Sequence, residues 1–277
     1  MLLAAAVAAA FVYTVATLPS WPTQVTAYRA LLGNFSKDLP AWSKAAAALR
    51  SFMQQHDPDY PVFHLAAPEG WVNDPNGVSF DPSTGLYHRF YQYDKTYSEQ
   101  CKHGSVGNCT RWAYGRRNTL GRTWGHTVSE DLVVWEDWPG IDADSVWDAN
   151  GVFSGNCEVG ANGNVTCIYS GNQLGAGGCC TVGVCATSSD FVHWRKAACM
   201  NVPPGPGSPV NDDTSIWRDH RTGIWYLLIG GHTFNGTNTP TAGVPQAGNA
   251  QLWNSSDLVN FTYMHPLTPG TTCYLLH

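Results

Sequence analysis

The segment from His64 to Gly77 concentrates residue types that can carry out catalysis. It reads HLAAPEGWVNDPNG and places a carboxylate, Asp74, beside the amide side chain of Asn73. The tetrapeptide Asp-Pro-Asn-Gly is by itself typical of a tight turn, so we expect Asp74 to lie on such a turn at the end of a strand. A short carboxylate that is held rigidly in this way can attack a bound substrate as a nucleophile.

Three further motifs follow in order, Phe90-Tyr91-Gln92, Trp124-Gly125-His126 and Phe153-Ser154-Gly155. Together with WVNDPNG they make the chain resemble glycoside hydrolase family 32, the invertases, inulinases, levanases and fructan exohydrolases. The resemblance runs from about residue 61 to at least residue 267. It implies a five-bladed β-propeller with a negatively charged funnel, and retaining hydrolysis or transfer of β-D-fructofuranosyl groups from sucrose or fructans. The WVNDPNG string disfavours the alternative of a related propeller glycosidase acting on arabinosides or xylosides.

Retention of configuration needs two carboxyl groups about 5 Å apart, a nucleophile and a group that protonates the leaving oxygen and then activates water. The resemblance implies that Asp74 is the nucleophile. It also implies a third carboxylate, in an Arg-Asp-Pro motif, that binds fructose hydroxyls. Asp213 fits this position, because Trp217 and Trp225 follow it at the family's spacing. Asp219 follows an arginine but has the pattern of a turn residue, so we prefer Asp213, which could also be a plain loop acid.

The resemblance further implies a sugar subsite built from amide and aromatic side chains. Amides hydrogen-bond hydroxyl groups in both directions, and aromatic rings cover the apolar face of a sugar. The implied substrate-binding residues are Trp71, Asn73, Gln92, Trp112, Phe153 and Ser154. For Trp124, packing in the core is as favoured as a substrate role. We expect a small carbohydrate substrate and no metal or organic cofactor, since fructosyl transfer needs none.

The general acid of the family is a Glu in a Glu-Cys dipeptide beyond the third carboxylate. Here the corresponding place reads GTTCY, with Thr272 in the position of the Glu, and no Glu follows Glu158. We therefore expect the N-terminal part of an enzyme, without the last blades and the β-sandwich, and with little activity of its own. The alternative is an inactive carbohydrate-binding propeller. Glu158 is the first candidate for a substitute acid, if no bulge separates it from the face of Ser154.

The elements that position these residues are predicted to be short strands broken by polar turns. Three stretches repeat one theme of strand, Ser/Asp turn, strand and aromatic residue, centred on Asp131, Asp190 and Asp257. Repeats of this kind without intervening helices favour a β-propeller. The Ala-rich stretch 38–55 is the one good helical pattern, and we interpret residues 19–60 as an N-terminal linker with a short helix and 61–277 as the propeller domain.

The composition agrees with an all-β fold. Charged residues make up only 13%, while the chain has 28 Gly, 17 Pro and 12 Trp, which is unlike a helical bundle. The 15 Lys and Arg against 21 Asp and Glu give a net charge of −6. A nucleic-acid partner is therefore disfavoured, because no basic surface is available to neutralise phosphates.

Three features of the sequence predict the secretory pathway, and hence a secreted or vacuolar protein. Residues 1–18 are uncharged and apolar and are predicted to be a signal peptide or a signal anchor. Six glycosylation sequons occur, at Asn34, Asn108, Asn164, Asn235, Asn254 and Asn260. Nine cysteines, several of them close together, indicate disulfides, since their spacing does not suit a zinc site.

Overall fold

A computed structural model describes residues 27–28, 30–32, 38–61, 64–94, 122–160, 162–172, 182–199, 214–233 and 247–267. The expected signal segment at 1–18 lies outside these residues. The described part of the chain is mostly β, with one helix of defined bounds followed by twelve strands. This agrees with the all-β class expected from the composition. No helix among the described residues has the length and apolarity needed to cross a membrane.

Helix α1 spans Leu39–His56 and begins where the sequence pattern predicts. Asp38 caps its first turn by accepting a hydrogen bond from the backbone N–H of Ala41 at 3.1 Å. The apolar side chains at helical spacing, Leu49 and Phe52 among them, are buried. The helix lies against the last strand of the first sheet and is therefore packed on the domain.

The strands form three four-stranded antiparallel sheets, and in each sheet consecutive strands are neighbours. The first sheet contains β1 (Trp71–Asp81), β2 (Leu86–Asp94), β3 (Thr123–Ser129) and β4 (Glu136–Ile141). The second sheet contains β5 (Val152–Val159), β6 (Val165–Gly171), β7 (Val182–Ser188) and β8 (Arg195–Cys199). The third sheet contains β9 (Ser215–Arg218), β10 (Trp225–Thr233), β11 (Ala247–Ser255) and β12 (Thr262–Pro266).

The sheets pack through their apolar faces, and their first strands lie side by side. β5 contacts both β1 and β9. One apolar cluster, which includes Phe90 and Trp124, joins the first and second sheets. A second cluster, around Ile216 and Trp253, joins the second and third. Burying a large apolar side chain stabilises the fold by about 1.5–3 kcal/mol, so these two layers hold the sheets against each other.

The repeated Ser/Asp theme predicted three equivalent turns, and the structure confirms them. They connect the last two strands of each sheet. The serine hydroxyl donates to the aspartate two residues later in the pairs Ser129–Asp131, Ser188–Asp190 and Ser255–Asp257. In each turn the next residue has a positive φ, 64° at Leu132, 60° at Phe191 and 65° at Leu258. The carboxylate also accepts two backbone N–H groups, which holds this left-handed residue in place.

Two disulfides are present among the described residues, and both lie within the second sheet. Cys157 and Cys167 face each other across β5 and β6. Cys185 and Cys199 join β7 to β8. The expectation of disulfides is thus confirmed for four of the nine cysteines.

Candidate active site

The expectation of a tight turn at Asp-Pro-Asn-Gly is wrong, because the tetrapeptide lies inside β1. Val72 pairs with Tyr93 and Pro75 with Tyr91, so Asn73 and Asp74 together oppose Gln92 alone. This is a β-bulge, which redirects side chains next to a site. β1 is an edge strand of its sheet, and an edge strand tolerates a proline that cannot donate a hydrogen bond.

β5 carries a bulge at the equivalent place in the second sheet. Val152 pairs with Gly171 and Gly155 with Tyr169, so Phe153 and Ser154 oppose one residue of β6. The two bulges bring residues 73–74 and 153–154 together near the starts of neighbouring strands.

A chain of hydrogen bonds connects four of the predicted site residues. The Ser154 hydroxyl donates to Oδ2 of Asp74 at 2.5 Å, within the range of hydroxyl-to-carboxylate bonds. The Gln92 amide donates to Ser154 Oγ at 2.9 Å, and the Asn73 amide donates to Gln92 Oε1 at 3.2 Å. A carboxylate only accepts hydrogen bonds, so Ser154 must donate to Asp74. The Ser154 oxygen then accepts from Gln92, and the Gln92 oxygen accepts from Asn73.

The burial of these groups falls from the core towards the carboxylate. Gln92 and Ser154 are only 2% and 7% exposed, while Asp74 is half-buried. Among the described residues, Asp74 receives a hydrogen bond on Oδ2 only. Within that part of the chain, the hydrogen bond therefore distinguishes the two oxygens of the carboxylate.

Asn76 ties the two strands together and was not among the predicted site residues. Its Oδ1 accepts the backbone N–H of Gly155 at 3.1 Å, and its Nδ2 donates to the backbone carbonyl of Asp74 at 3.1 Å. It is 3% exposed. Its place within the Asp-Pro-Asn-Gly motif could have identified Asn76 as a site residue. The sequence suggested instead that Asn76 lies in a turn, and it gave no indication of the partner in β5.

Gly77 and Trp124 explain how β1 approaches the second sheet so closely. Gly77 has φ +53°, and a Cβ there would lie 2.6 Å from the Cys157 sulfur and 2.8 Å from the Phe90 ring. Trp124 is 1% exposed, and its indole N–H donates to the Phe153 carbonyl at 2.8 Å. Of the two roles considered for Trp124, packing in the core and contact with substrate, the structure supports packing in the core.

The remaining predicted substrate-binding residues are described only in part. The Phe153 ring is half-buried, with the Arg122 guanidinium 5.0 Å from its centre. The backbone of Trp71 begins β1. Trp112 and Asp213 lie outside the described residues.

Asp219 lies at the other end of the sheets from Asp74. It caps the turn between β9 and β10, where Oδ1 accepts the Arg221 N–H and Oδ2 the Thr222 hydroxyl. These bonds lower the pKa of Asp219. The next residue, His220, has its Nε2 3.4 Å from Oε1 of Glu158.

Glu158 is likewise far from the candidate nucleophile. It follows Ser154 by four strand residues, about 13 Å along β5. Burial raises the pKa of Glu158, while His220 and then Arg218 oppose that rise. The contact with His220 fixes Glu158 at the end of β5 away from Asp74.

Behind the site, His126 of the Trp-Gly-His motif forms a buried pair with His88. Its Nδ1 lies 3.1 Å from the Pro139 carbonyl, which makes that nitrogen the donor, so its Nε2 accepts from Nδ1 of His88 at 3.0 Å. The His88 ring stacks on Phe191 of the second sheet, 3.7 Å between centres. Burial lowers the pKa of His88 to about 4 and holds that of His126 well below its usual range. Both rings are therefore neutral at pH 7.

Comparison with known proteins gives one family over most of the chain. The model of the glycosyl hydrolases family 32 N-terminal domain matches residues 64–274. Raffinose invertase of Escherichia coli is 31% identical over 175 residues, 61% of this chain and 32% of that protein. Sucrose:sucrose 1-fructosyltransferase of Festuca arundinacea is 29% identical over 223 residues, 76% of this chain and 30% of that protein.

A solved structure is also similar to this chain. Fructan 1-exohydrolase IIa from Cichorium intybus superposes with a TM-score of 0.52 and 25% identity, over 76% of this chain and 35% of that one. The chain spans about a third of the length of these relatives.

Proposed function

The chain belongs to family 32 of the glycosyl hydrolases, and from this premise we propose that it carries the nucleophile of an enzyme acting on sucrose or fructans. The reaction is hydrolysis or transfer of a β-D-fructofuranosyl group with retention of configuration. The observation that carries the proposal is the hydrogen bond from Ser154 to Oδ2 of Asp74. It orients the carboxylate and leaves Oδ1 to react.

In the proposed first step, Oδ1 of Asp74 attacks the anomeric carbon of fructose. The bond to the leaving oxygen breaks with its electron pair, and an acid protonates that oxygen. An ester then joins Asp74 to the sugar. Water or an acceptor sugar attacks the same carbon from the face opposite the ester, its proton passes to the group that acted as the acid, and the bond to Asp74 breaks and releases the carboxylate. Two inversions give net retention.

The amides beside Asp74 have a proposed role in holding the sugar. Gln92 and Asn73 spend one hydrogen bond each on the chain that leads to Asp74, and each amide has further donors and acceptors for hydroxyl groups. We propose that these two residues, with Trp71, Trp112, Phe153 and Ser154, form the fructose subsite.

For the third carboxylate we propose Asp213. The alternative, Asp219, has both oxygens engaged in its own turn and lies at the far end of β9. We also propose that the three sheets are blades of a five-bladed propeller, which their antiparallel order and neighbouring first strands support.

We further propose that the protein passes through the secretory pathway. The two disulfides seen in the described part of the chain support this, since thiols stay reduced in the cytosol of most cells. Asn164 and Asn260, in two of the sequons, are exposed. The mass of the secreted protein before and after deglycosylation and reduction tests the proposal, and a mass equal to that of the bare reduced chain would refute it.

The nucleophile is best tested with a substrate that does not need the acid. The fluorine of β-D-fructofuranosyl fluoride leaves as an anion without being protonated, so attack by Asp74 breaks the C–F bond directly. We expect fluoride release and a fructosyl ester on the peptide that contains Asp74, detected by mass spectrometry. Asp74→Asn should abolish both, while the matched control Asp219→Asn should retain both. An ester on another residue would overturn the assignment.

Thr272, in the place of the family's Glu, favours a second candidate function. A propeller without an acid could bind fructosides and not cleave them. This candidate predicts that sucrose binds in calorimetry and is not hydrolysed by the full-length protein, while the fluoride, which needs no acid, still forms the ester on Asp74. Hydrolysis of sucrose by the full-length protein would exclude a binding-only role.

A further inference from the structure

Helix α1 precedes the residues matched by the family, which begin at 64, and yet it contributes a buried ion pair to the first sheet. Nε and Nη2 of Arg50 donate to Oδ2 and Oδ1 of Asp137 in β4 at 2.9 and 2.7 Å. The Asp137 side chain is only 4% exposed. A paired fork of this kind suits arginine and not lysine, whose ammonium is a single point charge.

The same guanidinium also holds the segment that leads into β1. Nη2 of Arg50 donates to the Ala66 carbonyl at 2.6 Å, and Nη1 donates to the Tyr60 hydroxyl at 3.0 Å. That hydroxyl in turn donates to the Ala67 carbonyl at 2.6 Å. Arg50 and Tyr60 thus bind two consecutive carbonyl groups a few residues before Asp74.

Other contacts also bear on this segment, since Ala67 and Glu69 are each only 3% exposed. Residues 64–70 belong to no strand, so no sheet ladder holds them. β1 is hydrogen-bonded within its sheet on one side only, and it contains two bulges. A shift of this strand by one residue would turn every side chain to the opposite face, that of Asp74 among them. Contacts at the entry of β1 that oppose such a shift therefore act on the position of Asp74.

We infer that Arg50, acting with Tyr60, is a positioning pair that sets the register of β1 and so places Asp74. The inference rests on the proposed function for its catalytic consequence, but not for its structural one. It assigns a role in the site to a helix outside the family match.

Two variants and one control test the positioning pair. Arg50→Lys keeps the charge and loses the fork, and Tyr60→Phe removes only the hydroxyl that binds the Ala67 carbonyl. The control is Ser43→Ala, since Ser43 donates to the Asp137 carbonyl at 3.0 Å and so joins α1 to β4 without contacting residues 66–67. Hydrogen exchange is measured over residues 71–77 and 136–141, together with the rate of ester formation from fructofuranosyl fluoride.

We expect both variants to raise exchange in 71–77 and to slow ester formation at saturating fluoride about ten-fold or more, with little change in the half-saturating concentration. Ser43→Ala should change neither. If Arg50→Lys does not fold, Tyr60→Phe decides the matter. Folded variants with exchange in 71–77 like that of the parent would overturn the inference. If the parent itself forms no ester, the proposed function fails, and the exchange data still test the positioning pair.

Discussion

The site and the Ser/Asp turns use the same pair of side chains in opposite ways. In a turn, Ser188 and Asp190 are two residues apart, and the carboxylate accepts the hydroxyl, two backbone N–H groups and the His193 ring. At the site, Ser154 and Asp74 are 80 residues apart, and among the described residues Asp74 accepts on one oxygen only. The turn uses its carboxylate to fix the backbone, whereas the site keeps an oxygen for chemistry.

This difference teaches how reactivity and stability are separated within one fold. Partial burial raises the pKa of Asp190. Hydrogen bonds from the backbone and ring of His193, the backbone of Val192 and the hydroxyl of Ser188 outweigh this effect and lower the pKa to about 2. An anion stabilised so fully is a poor nucleophile. Asp74 is oriented by a neighbouring sheet and not by its own turn, and in the proposed function its other oxygen attacks the sugar.

The largest expected effect is on the carboxylate of the site. In the full-length enzyme, Asp74→Asn should lower kcat on sucrose by several orders of magnitude while sucrose still binds, because only the transition-state bond is lost. Asp190→Asn is the matched control and should leave kcat unchanged. Retention of more than about a tenth of the activity by Asp74→Asn, a barrier change below roughly 1.4 kcal/mol, would contradict the assignment.

The second effect tests whether the orienting hydroxyl matters. Ser154→Ala removes the donor to Oδ2 and leaves the Gln92 amide without its acceptor. We expect kcat to fall about 10²-fold, as for the loss of one preorganised hydrogen bond at a reacting group. Ser188→Ala, the same change in a turn, should leave kcat as it was and lower only the urea midpoint. Equal kcat losses in the two variants would mean that the Ser154 hydroxyl has no greater effect on catalysis than the hydroxyl of a turn.

Low pH should lower the stability of the two regions, the histidine pair behind the site and the Ser/Asp turns, over different pH ranges. His88 has a pKa near 4 when folded and 6.5 when unfolded, so the unfolded chain binds more protons and stability falls as pH drops from about 6.5 to 4. The pKa of Asp190 is about 2 when folded and 3.8 when unfolded, so its stabilising contribution is lost only as the pH falls from about 4 to 2. We expect a loss of about 3 kcal/mol from His88 between pH 7 and 4 in urea unfolding. His88→Gln should make this slope shallower, and an unchanged slope would exclude His88 as its source.

The smallest effect concerns the left-handed residue of a turn. Leu132 has φ 64° and is 55% exposed, so replacing it with glycine removes strain and little packing. Leu132→Gly should stabilise the protein by about 0.5 kcal/mol. Its neighbour Val133, which is 78% exposed, has no positive φ, and Val133→Gly should be destabilising by a similar amount. Thermal melting of the two variants gives the comparison, and a destabilised Leu132→Gly would count against strain in the turn.

Sequence patterns predicted the parts of the fold that depend on neighbours in the chain. Helix α1 and the strands followed from periodicity, and the Asp190 turn followed from a motif of three residues. The turn expected at Asp74 was wrong, because pairing with β2 overrides the local preference of Asp-Pro-Asn-Gly.

Two of the missed residues, Asn76 and Arg50, act across long stretches of the sequence. Asn76 binds Gly155, 79 residues away, and Arg50 binds Asp137, 87 residues away. Neither partner can be identified from one sequence by spacing alone. The site residues that were predicted came from a family resemblance, which carries such distant contacts implicitly.

The position of the two disulfides bears on the order in which the chain assembles. They close stretches of only 10 and 14 residues, so each costs little loop entropy to form. We expect the second sheet to be covalently complete before the third has left the ribosome, and mass mapping of trapped thiols during synthesis would show this. The first and third sheets would then pack against a second sheet that is already cross-linked. The disulfides would therefore need an oxidising environment early in folding and not only after folding is complete.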